Sequence, residues 1–523
     1  MKALVHIYSL PALSGLLLSA CFPVFNFYLL VWFALIPLFL SARNDAPPQA
    51  ALRFFVAGFI FHAILLQWMI ANIMWAGGWA VIGQQLLCVV LALFWAATGA
   101  VWSAVRTRTS ALFAALGLPV FWVAMEQLQG TVFTGLGWGT LVYSQGPDLA
   151  LIQWAAIGSA PFVSLFIVLT NALLALAVAE KKARYARIVA CLVIVAGAHL
   201  GGALMLSEAE YGADPFRVGI FQSNFPQEMK WDSEYTVDMV RKASDYSLAL
   251  AREEDIDLMV WPEALVLADI TRPDIRIPIA SAVRGGGFTL FTGAARREDG
   301  RAYNSSYLIG EDARLLGFYD KIHLAPFGEY IPLAEYIPFV ARLVPSIGGM
   351  TPGTEPVVLR VGDRALGPLI CFEMLFPPMS QRLRAEGADF IAVVTNLGWF
   401  GRSNALPQEL DIARIRAIET RLPLVHSANT GISGVFDPWG RFSMVDAMVH
   451  PAGHLVPMRD GIRPRDIVMH RLVGAFDLAR PATRPVPYPP HYLAWCMLPL
   501  SMGIIAFSAW KGRRRPTSSM EHS

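Results

Sequence analysis

Long apolar runs limit what this chain can fold into more than any other feature of its sequence. A helix that crosses a membrane needs about 20 largely apolar residues, and most of these runs reach that length, although the first two are short. They lie at residues 8–25, 26–42, 53–72, 80–104, 110–127, 160–179, 188–206 and 490–510. We therefore predict a membrane domain with seven transmembrane helices over residues 1–206 and an eighth transmembrane helix at 490–510.

The overall composition agrees with a membrane protein. Of the 523 residues, 55% are hydrophobic and only 16% are charged, which is too apolar for an ordinary soluble protein. A signal peptide over residues 2–20 is an alternative explanation of the first run. Further apolar runs follow it at once, however, and no cleavage site is followed by polar chain. The net charge is +2, so nucleic acid is not an expected partner.

The basic residues predict how the helices cross the membrane, because cytoplasmic loops carry an excess of Lys and Arg. Loops 22–27, 73–79 and 128–160 contain neither. The intervening loops and the segment after the last run contain Arg43, Arg53, Arg106, Arg108, Lys181, Lys182, Arg184, Arg187, Lys511, Arg513, Arg514 and Arg515. We expect a cytoplasmic N-terminus, residues 207–489 in the periplasm of a bacterium with two membranes, and a basic cytoplasmic tail at 511–523.

Between the last two apolar runs the sequence predicts a soluble α/β domain at residues 212–479, followed by a Pro-rich linker at 480–489. Helices are expected from Asp232 or Ser233 to about Glu254 and from about Pro407 to Arg421. Strands are expected at 217–221, 257–261, 288–294, 303–309, 314–319, 356–361, 366–370 and 389–395, with a last pair near 423–437. Strands that alternate with helices are typical of an α/β fold.

The cysteines single out one position. They are Cys21, Cys88, Cys191, Cys371 and Cys496, and all but Cys371 lie in the apolar runs. A disulfide framework is therefore excluded in the soluble domain, and no Cys/His spacing indicates a metal site. A lone thiol in an oxidising compartment suggests a functional role.

Three short motifs place reactive residues beside predicted strands. They are Trp261-Pro262-Glu263, Asp320-Lys321-Ile322-His323-Leu324 with Phe327-Gly328-Glu329, and Leu369-Ile370-Cys371-Phe372-Glu373. Taken singly, such a Cys is usually a small buried hydrophobe and such a Glu or Lys a surface charge. Together, however, a carboxylate, an ammonium and a thiol are the groups that acyl transfer through a thioester requires.

The order Glu, Lys, Cys within these motifs resembles the carbon–nitrogen hydrolase (nitrilase) superfamily. With the membrane helices, the chain is similar to the membrane-embedded branch of that superfamily, the apolipoprotein N-acyltransferases. The resemblance covers nearly the whole chain and is most specific at DKIHLAPFGEYIP, residues 320–332. It implies an αββα sandwich for the soluble domain, which periodicity alone does not show.

The resemblance also implies a role for each site residue. Cys371 is expected to be the nucleophile and Glu263 the base, while Lys321 and the backbone N–H of Phe372 bind the oxyanion. Glu329 is expected to orient Lys321 or shield the site. Glu373, two residues after Cys371, is expected to support the site residues without contacting substrate. A purely structural role is open for both of these glutamates. No cofactor is implied.

Several apolar residues are candidates for binding lipid. They are Trp231, Phe339, Leu343 and Trp399, of which Phe339 and Leu343 lie in a segment, Tyr330–Met350, that is either a packed connector or a mobile arm. The loop Glu126–Gly158, which is uncharged except for Glu126 and Asp148, either packs on the membrane surface or forms a floor for lipid tails. The chain has Gln129, Gly137 and Leu397 where the family often has Arg, Pro and Asp, so roles at those positions do not carry over.

The expected reaction is acyl transfer in two half-reactions. A phospholipid, by resemblance phosphatidylethanolamine, would acylate Cys371, and the N-terminal amine of a diacylglyceryl-cysteine apolipoprotein would accept the chain. One alternative is a membrane-tethered amidase or nitrilase for a small soluble substrate, but eight spans exceed what a tether needs. Another is a catalytically idle lipid-binding or lipoprotein-binding protein, which the intact Glu263, Lys321 and Cys371 set disfavours.

Overall fold

The chain forms two compact units in a computed structural model. The structure describes residues 2–23, 25–72, 77–207, 216–231, 233–331, 349–450, 452–458, 461–478 and 491–513. The first unit comprises residues 1–67, 82–207 and 490–523, and the second comprises residues 68–81 and 208–489. The predicted linker at 480–489, most of the segment 330–350 with Phe339 and Leu343, and the side chain of Trp231 lie outside the described residues.

The first unit is helical. Its helices are α1 (Lys2–Cys21), α2 (Ile36–Ala42), α3 (Pro47–Leu65), α4 (Trp79–Arg106), α5 (Ala111–Gln129), α6 (Leu149–Ile152), α7 (Ala155–Ala179), α8 (Arg184–Ser207) and α14 (His491–Arg513). Among the described residues, five helices have a length and hydropathy that suit a membrane crossing: α3, α4, α5, α7 and α8. Two shorter apolar helical stretches are Tyr8–Cys21, within α1, and Tyr28–Ala42, which includes α2. This agrees with the predicted polytopic domain, although the structure does not test its boundaries.

Two predicted spans differ from the helices observed. The run at 26–42 is not one continuous α-helix, because a 3₁₀-helix, Tyr28–Trp32, precedes α2. Pro37 lies in the first turn of α2, where a proline fits a new helix start but not a helix interior. The run at 53–72 also divides, since α3 ends at Leu65 and a second 3₁₀-helix, Gln67–Asn72, follows.

Apolar side chains point outward from these helices, and a few polar ones connect them. Leu86 on α4 and Leu192 on α8 are 61% and 65% exposed, as expected for surfaces that meet lipid rather than water. Inside, the buried Asn171 accepts a hydrogen bond from the Leu35 N–H (3.0 Å) and donates to the Val31 carbonyl (2.9 Å). Because unpaired backbone groups are costly away from water, these two hydrogen bonds of Asn171 stabilise the turn before α2.

The second unit contains two β-sheets. Its strands are β1 (Arg217–Gln222), β2 (Leu258–Val260), β3 (Thr289–Glu298), β4 (Arg301–Ile309), β5 (Leu315–Asp320), β6 (Leu359–Val361), β7 (Arg364–Ile370), β8 (Phe390–Thr395), β9 (Leu424–Ala428), β10 (Gly434–Phe436), β11 (Phe442–Met444), β12 (Ala447–Val449), β13 (Leu455–Pro457) and β14 (Leu472–Asp477). One sheet has the order β13-β12-β14-β1-β2-β3-β4-β5 and the other the order β11-β10-β9-β8-β7-β6.

Helices cover the outer face of each sheet. They are α9 (Gln227–Trp231), α10 (Ser233–Glu253), α11 (Pro273–Gly286), α12 (Pro377–Ala385) and α13 (Ala405–Thr420). The helix α10 packs on β1, β14 and α11, while α12 packs on β7 and β8 and α13 on β9. The sheets face each other, since β1 contacts β9 and β4 contacts β7. These four layers are the αββα sandwich that the resemblance implied.

The parallel strands bring the motifs to a shared side of the sandwich. In the first sheet β1, β2 and β3 run parallel, and in the second β7, β8 and β9 do so. The predicted strands through 423–437 match observed strands within a few residues. The helices α11 and α12 and the strands β11 to β14 were not predicted, and β14 pairs with β1 in the interior of the first sheet.

Candidate active site

Glu263 follows β2 in a backbone turn that its neighbours force. The preceding Trp261 is buried, its backbone N–H donates to the Phe291 carbonyl (2.8 Å), and its indole donates to the Ser247 hydroxyl (2.8 Å). Ala264 has a φ of 51°, a left-handed conformation that costs energy for a residue with a side chain. A Cβ on Gly293 would lie 2.6 Å from the Glu263 Cα, so only glycine fits on the adjoining strand β3.

Lys321 follows β5 and points its ammonium at two carboxylates. Its Nζ lies 3.3 Å from Glu263 Oε1 and 3.0 Å from Glu329 Oε2, and the side chain is 1% exposed. Burial lowers the pKa of Lys321, but the carboxylates of Glu329 and Glu263 outweigh that effect and hold its pKa above the ordinary value. Lys321 therefore stays charged throughout the physiological pH range.

Asn304 on β4 connects the same two carboxylates. Its side-chain N–H₂ donates to Glu263 Oε1 (2.8 Å) and to Glu329 Oε1 (2.6 Å). Glu329 also accepts the Ala325 N–H at Oε2 (2.7 Å). We call Glu263, Asn304, Lys321 and Glu329 the reactive cluster. Glu329 lies within hydrogen-bonding distance of Lys321, and its role in orienting that residue stays a prediction. Asn304 was missed, although an Asn within a strand, where it is disfavoured, is a signal that could have indicated it.

Cys371 comes directly after β7 and begins the 3₁₀-helix Cys371–Leu375. Its φ is 52°, so the residue lies in a strained turn at the strand end, and as a whole it is partly exposed. Burial and the Glu263 carboxylate raise the pKa of the Cys371 thiol well above its ordinary value, while Lys321 opposes them. At neutral pH Cys371 is therefore a protonated thiol.

Glu373 accepts hydrogen bonds from two segments, residues 319–323 and the end of β7. Oε1 accepts from the Tyr319 hydroxyl (2.7 Å) and the backbone N–H groups of Ile322 (2.7 Å) and His323 (3.1 Å). Oε2 accepts from the Ile370 N–H (2.8 Å). Burial raises the pKa of Glu373 to about 7 against these donors. Glu373 thus ties the end of β7 to the segment that carries Lys321, and we call these residues the Glu373 cluster.

A second buried lysine lies beside the reactive cluster. Lys230, at the end of α9, is 1% exposed, and its Nζ lies 3.4 Å from the Glu263 backbone carbonyl. Burial lowers the pKa of Lys230 to about 7, although Glu263 counteracts it. Burial of this lysine was not predicted from the sequence.

Of the candidate lipid-binding residues, the described structure places one clearly. Trp399 lies in the 3₁₀-helix Leu397–Phe400 after β8. That segment is held by Asn396, whose side chain donates to Gln227 (3.0 Å) and accepts from Asn429 (2.9 Å). The ring of the neighbouring Phe400 meets Trp68 edge to face, with centroids 4.6 Å apart. Trp68 was not predicted to take part in this unit.

Three aromatic rings near Cys371 in the sequence or the fold, those of His323, Phe372 and Phe376, contact one another. The His323 ring stacks on Phe376 at 3.6 Å between centroids, and the Phe372 ring lies 5.4 Å from Phe376. In the part of the chain that the structure describes, no group of three or more His, Cys, Asp and Glu side chains is arranged to hold a metal ion.

Two protein-family models match the chain. Residues 14–173 match the apolipoprotein N-acyltransferase N-terminal domain, and residues 217–451 match the carbon–nitrogen hydrolase domain. The apolipoprotein N-acyltransferase of Geobacter metallireducens is 34% identical over 454 residues, which is 83% of this chain and 85% of that protein. The chain belongs to the apolipoprotein N-acyltransferase family.

The chain is also similar to a second relative and to two solved structures. The apolipoprotein N-acyltransferase of Gloeobacter violaceus is 31% identical over 463 residues, covering 85% of this chain and 87% of that protein. An amidase from Nesterenkonia sp. AN1 covers 50% of this chain and 90% of its own, with a TM-score of 0.36 and 18% identity. Saccharomyces cerevisiae Nit3 covers 55% and 95%, with a TM-score of 0.37 and 15% identity.

The family membership confirms the predicted resemblance and fold class. The chain is a bacterial membrane protein with a nitrilase-like α/β domain, and it is an acyltransferase of lipoprotein biosynthesis. The alternative of a small-substrate amidase is not favoured.

Proposed function

We propose that this N-acyltransferase moves an acyl chain from a phospholipid to Cys371 and from there to the N-terminal amine of a diacylglyceryl-cysteine apolipoprotein. The observation that carries the proposal is the placement of Glu263 and Lys321, 3.3 Å apart, beside the strained turn at Cys371. The charge of Glu263 raises the pKa of the Cys371 thiol, and the charge of Lys321 lowers it. Base, cation and nucleophile come from the ends of β2, β5 and β7.

In the first half-reaction Glu263 accepts the proton of the Cys371 thiol as the sulfur attacks the ester carbonyl carbon of the donor. The carbonyl oxygen becomes an oxyanion, which Lys321 and the Phe372 N–H stabilise. An ammonium has three N–H donors, and Glu263 and Glu329 engage two of them, so the third can serve the oxyanion. When the C–O bond breaks, Glu263 returns the proton to the departing lysophospholipid.

In the second half-reaction the apolipoprotein amine attacks the thioester carbon. Glu263 accepts a proton from the attacking nitrogen, the C–S bond breaks, and the proton returns to the Cys371 sulfur. The products are an amide and the free thiol. Because the same base serves both halves, one carboxylate beside one thiol suffices for the whole cycle.

The membrane unit fits the nature of the substrates. Both carry acyl tails, whose transfer into water costs about 0.8 kcal/mol per CH₂ group, and phosphatidylethanolamine is our choice of donor. Trp231, Trp399, Phe339 and Leu343 are the proposed lipid contacts. We also propose that the catalytic domain, residues 212–479, lies in the periplasm and that the tail at 511–523 lies in the cytoplasm.

Intact-mass analysis of the purified protein tests the chemistry. Incubation with phosphatidylethanolamine should add one acyl group to the parent protein and to Cys496→Ala, which loses an exposed thiol, but none to Cys371→Ala. A lipopeptide with a free diacylglyceryl-cysteine N-terminus should then discharge the adduct as an amide. An adduct that persists in Cys371→Ala would place the nucleophile elsewhere, and discharge by small amines alone would favour an amidase.

Reporter fusions test the orientation. A reporter joined after Glu208 should be active in the periplasm, and one joined after Arg515 in the cytoplasm. A cytoplasmic signal at Glu208 would overturn the orientation.

A further inference from the structure

A carboxyl group that the proposed mechanism does not use lies close to the nucleophile. Glu409, in the second turn of α13, is 2% exposed. Its Oε1 accepts a hydrogen bond from the Thr395 hydroxyl at 3.0 Å. Within the described residues its Oε2 is buried without a hydrogen-bond partner. A buried carboxyl oxygen without a hydrogen-bond partner lowers the stability of the fold. Its presence in a protein therefore calls for a functional explanation.

The register of the second sheet explains why this carboxyl group can reach the chemistry. Ile370, the last residue of β7, pairs with Val394 on the parallel strand β8. The next residues along the two strands are Cys371 and Thr395, so they are neighbours at the strand ends. The Thr395 hydroxyl is a hydrogen-bond partner of the Cys371 thiol. A continuous path therefore runs from the Cys371 sulfur through Thr395 to Glu409.

We propose that Glu409 is a positioning residue for the acyl transfer, and that it directs the Thr395 hydroxyl proton toward the Cys371 sulfur whenever that sulfur carries negative charge. The proposal rests on the function proposed above, because it requires Cys371 to be the nucleophile. Glu409 touches neither substrate nor sulfur, and it acts only through Thr395.

The path can be polarised in two directions. A protonated Glu409 donates to Thr395 Oγ1, which leaves the Thr395 proton free to bond the sulfur during attack and during thioester cleavage. An ionised Glu409 accepts the hydrogen bond of the Thr395 hydroxyl, so that proton is not directed at the sulfur. It also adds a negative charge near the sulfur. Charge-assisted hydrogen bonds are about twice as strong as neutral ones, so the protonated state favours the reaction and the ionised state opposes it.

The surroundings favour the protonated state at neutral pH. Burial raises the pKa of Glu409 to about 8 against the Thr395 hydrogen bond, and among the charged groups Glu263 raises it further while Lys321 lowers it. Other ionisable groups on elements that pack against α13 have their own partners. The Glu373 carboxylate binds four donors, His426 on β9 bonds the Ile432 carbonyl, and Arg382 on α12 pairs with Glu386. On α13 itself, Asp411 pairs with Arg414.

The sign of the pH dependence follows. As pH rises through about 8, Glu409 ionises, so the rate of Cys371 acylation per enzyme should fall. Glu409→Gln cannot ionise, and its amide N–H can still donate to Thr395, so this variant should lack the fall. Thr395→Val breaks the path, and it should acylate roughly ten-fold more slowly at pH 7 and also lack the fall. Thr395→Ser keeps a hydroxyl and should restore both properties.

The test is a pre-steady-state measurement of acyl adduct on Cys371 from pH 6 to 9.5, with the full-length protein in phospholipid-containing micelles. Asp411→Asn is the matched control, because it removes another buried carboxyl group from the same helix and should retain the alkaline fall. Thermal unfolding of each variant shows whether it is folded.

The outcomes separate this proposal from the one on which it rests. An alkaline fall that survives in Glu409→Gln, or that disappears in Asp411→Asn, contradicts a role for Glu409. Equal rates for folded Thr395→Val and the parent contradict the path. The proposal is supported if Glu409→Gln lacks the alkaline fall in acylation rate and if Thr395→Ser, unlike Thr395→Val, shows it. If instead Cys371→Ala forms the adduct, the nucleophile is wrong and the proposed function fails first.

Discussion

The two buried clusters near Cys371, the proposed nucleophile, hold their carboxylates in opposite ways. In the Glu373 cluster one carboxylate accepts four hydrogen bonds, three of them from backbone N–H groups. In the reactive cluster the carboxylates of Glu263 and Glu329 share one ammonium and one amide. Backbone donors are fixed in the fold, whereas side-chain donors can move as a proton or substrate arrives.

The difference shows that residue type alone does not reveal a role. Glu373 is closer in sequence to Cys371 than Glu263 is, yet its oxygens accept four hydrogen bonds from two segments, residues 319–323 and Ile370. A carboxylate held in this way fixes geometry, because any change of protonation leaves a buried donor without an acceptor. Glu263 and Lys321 share side-chain partners that can rearrange, which is what their proposed roles as base and oxyanion donor require.

The largest effect is expected for Glu263→Gln. The amide cannot accept the thiol proton, so acylation of Cys371 should slow by on the order of 10²–10⁴-fold. The fold should persist because Lys321 still pairs with Glu329. Time-resolved intact mass measures the rate, and thermal unfolding measures stability.

The control for this variant is Glu298→Gln, which removes the charge of an exposed side chain paired with Arg296 and should acylate like the parent. If Glu263→Gln also acylates at the parent rate, the base lies elsewhere in the reactive cluster, and Glu329 becomes the first candidate.

A smaller effect of a different kind is expected for Glu373→Gln. With the amide oxygen in the place of Oε1, the amide N–H₂ faces the Ile370 N–H, and one buried donor loses its acceptor. The free energy of unfolding should fall by about 1–3 kcal/mol, while the acylation rate per folded molecule changes far less than in Glu263→Gln. Denaturant or thermal unfolding in detergent, combined with adduct rates corrected for the folded fraction, checks both statements.

Glu386→Gln is the matched control, because it alters an exposed helical ion pair worth only a few tenths of a kcal/mol. A Glu373→Gln variant with parent stability and a hundred-fold slower rate would reverse the contrast between the two clusters.

The sequence predicted the residues that lie at strand ends and missed those that reach the site from elsewhere. Glu263, Lys321 and Cys371 each follow a short apolar strand within a recognisable motif, so local pattern places them. Asn304 lies within β4, and its distance from Glu263 depends on how β3 pairs with both neighbours. Glu409 meets Thr395 only because α13 folds back on the second sheet. Such contacts depend on strand order and register, which periodicity does not encode.

The fold divides in the same way. The α/β rhythm and the predicted strands between 217 and 437 came from alternating apolar residues and flanking turns. The pairing of β14 with β1 joins segments more than 200 residues apart, and no local sequence pattern predicts that pairing. Trp68, at the end of an apolar run, looked like part of a span, yet its ring contacts Phe400 in the α/β unit.

The smallest effect concerns Asn304, the neutral member of the reactive cluster. Asn304→Ala removes the amide that holds Glu263 and Glu329 in register with Lys321. A hydrogen bond to a charged group is worth about 1.5–3 kcal/mol, but Lys321 still binds both carboxylates. We therefore expect acylation to slow by only about ten-fold, through a less well oriented base.

Ser306 offers a matched control for Asn304 on the same strand and the same face, two residues along β4. Its hydroxyl is buried, and within the described residues it has no hydrogen-bond partner, so Ser306→Ala should retain the parent rate and stability. Adduct formation by Asn304→Ala at the parent rate would show that Lys321 alone orients Glu263. A loss as large as that of Glu263→Gln would show instead that the base works only when the amide fixes it. The contrast between a rigid carboxylate and an adjustable one would then not hold, because Glu263 would be as tightly constrained as Glu373.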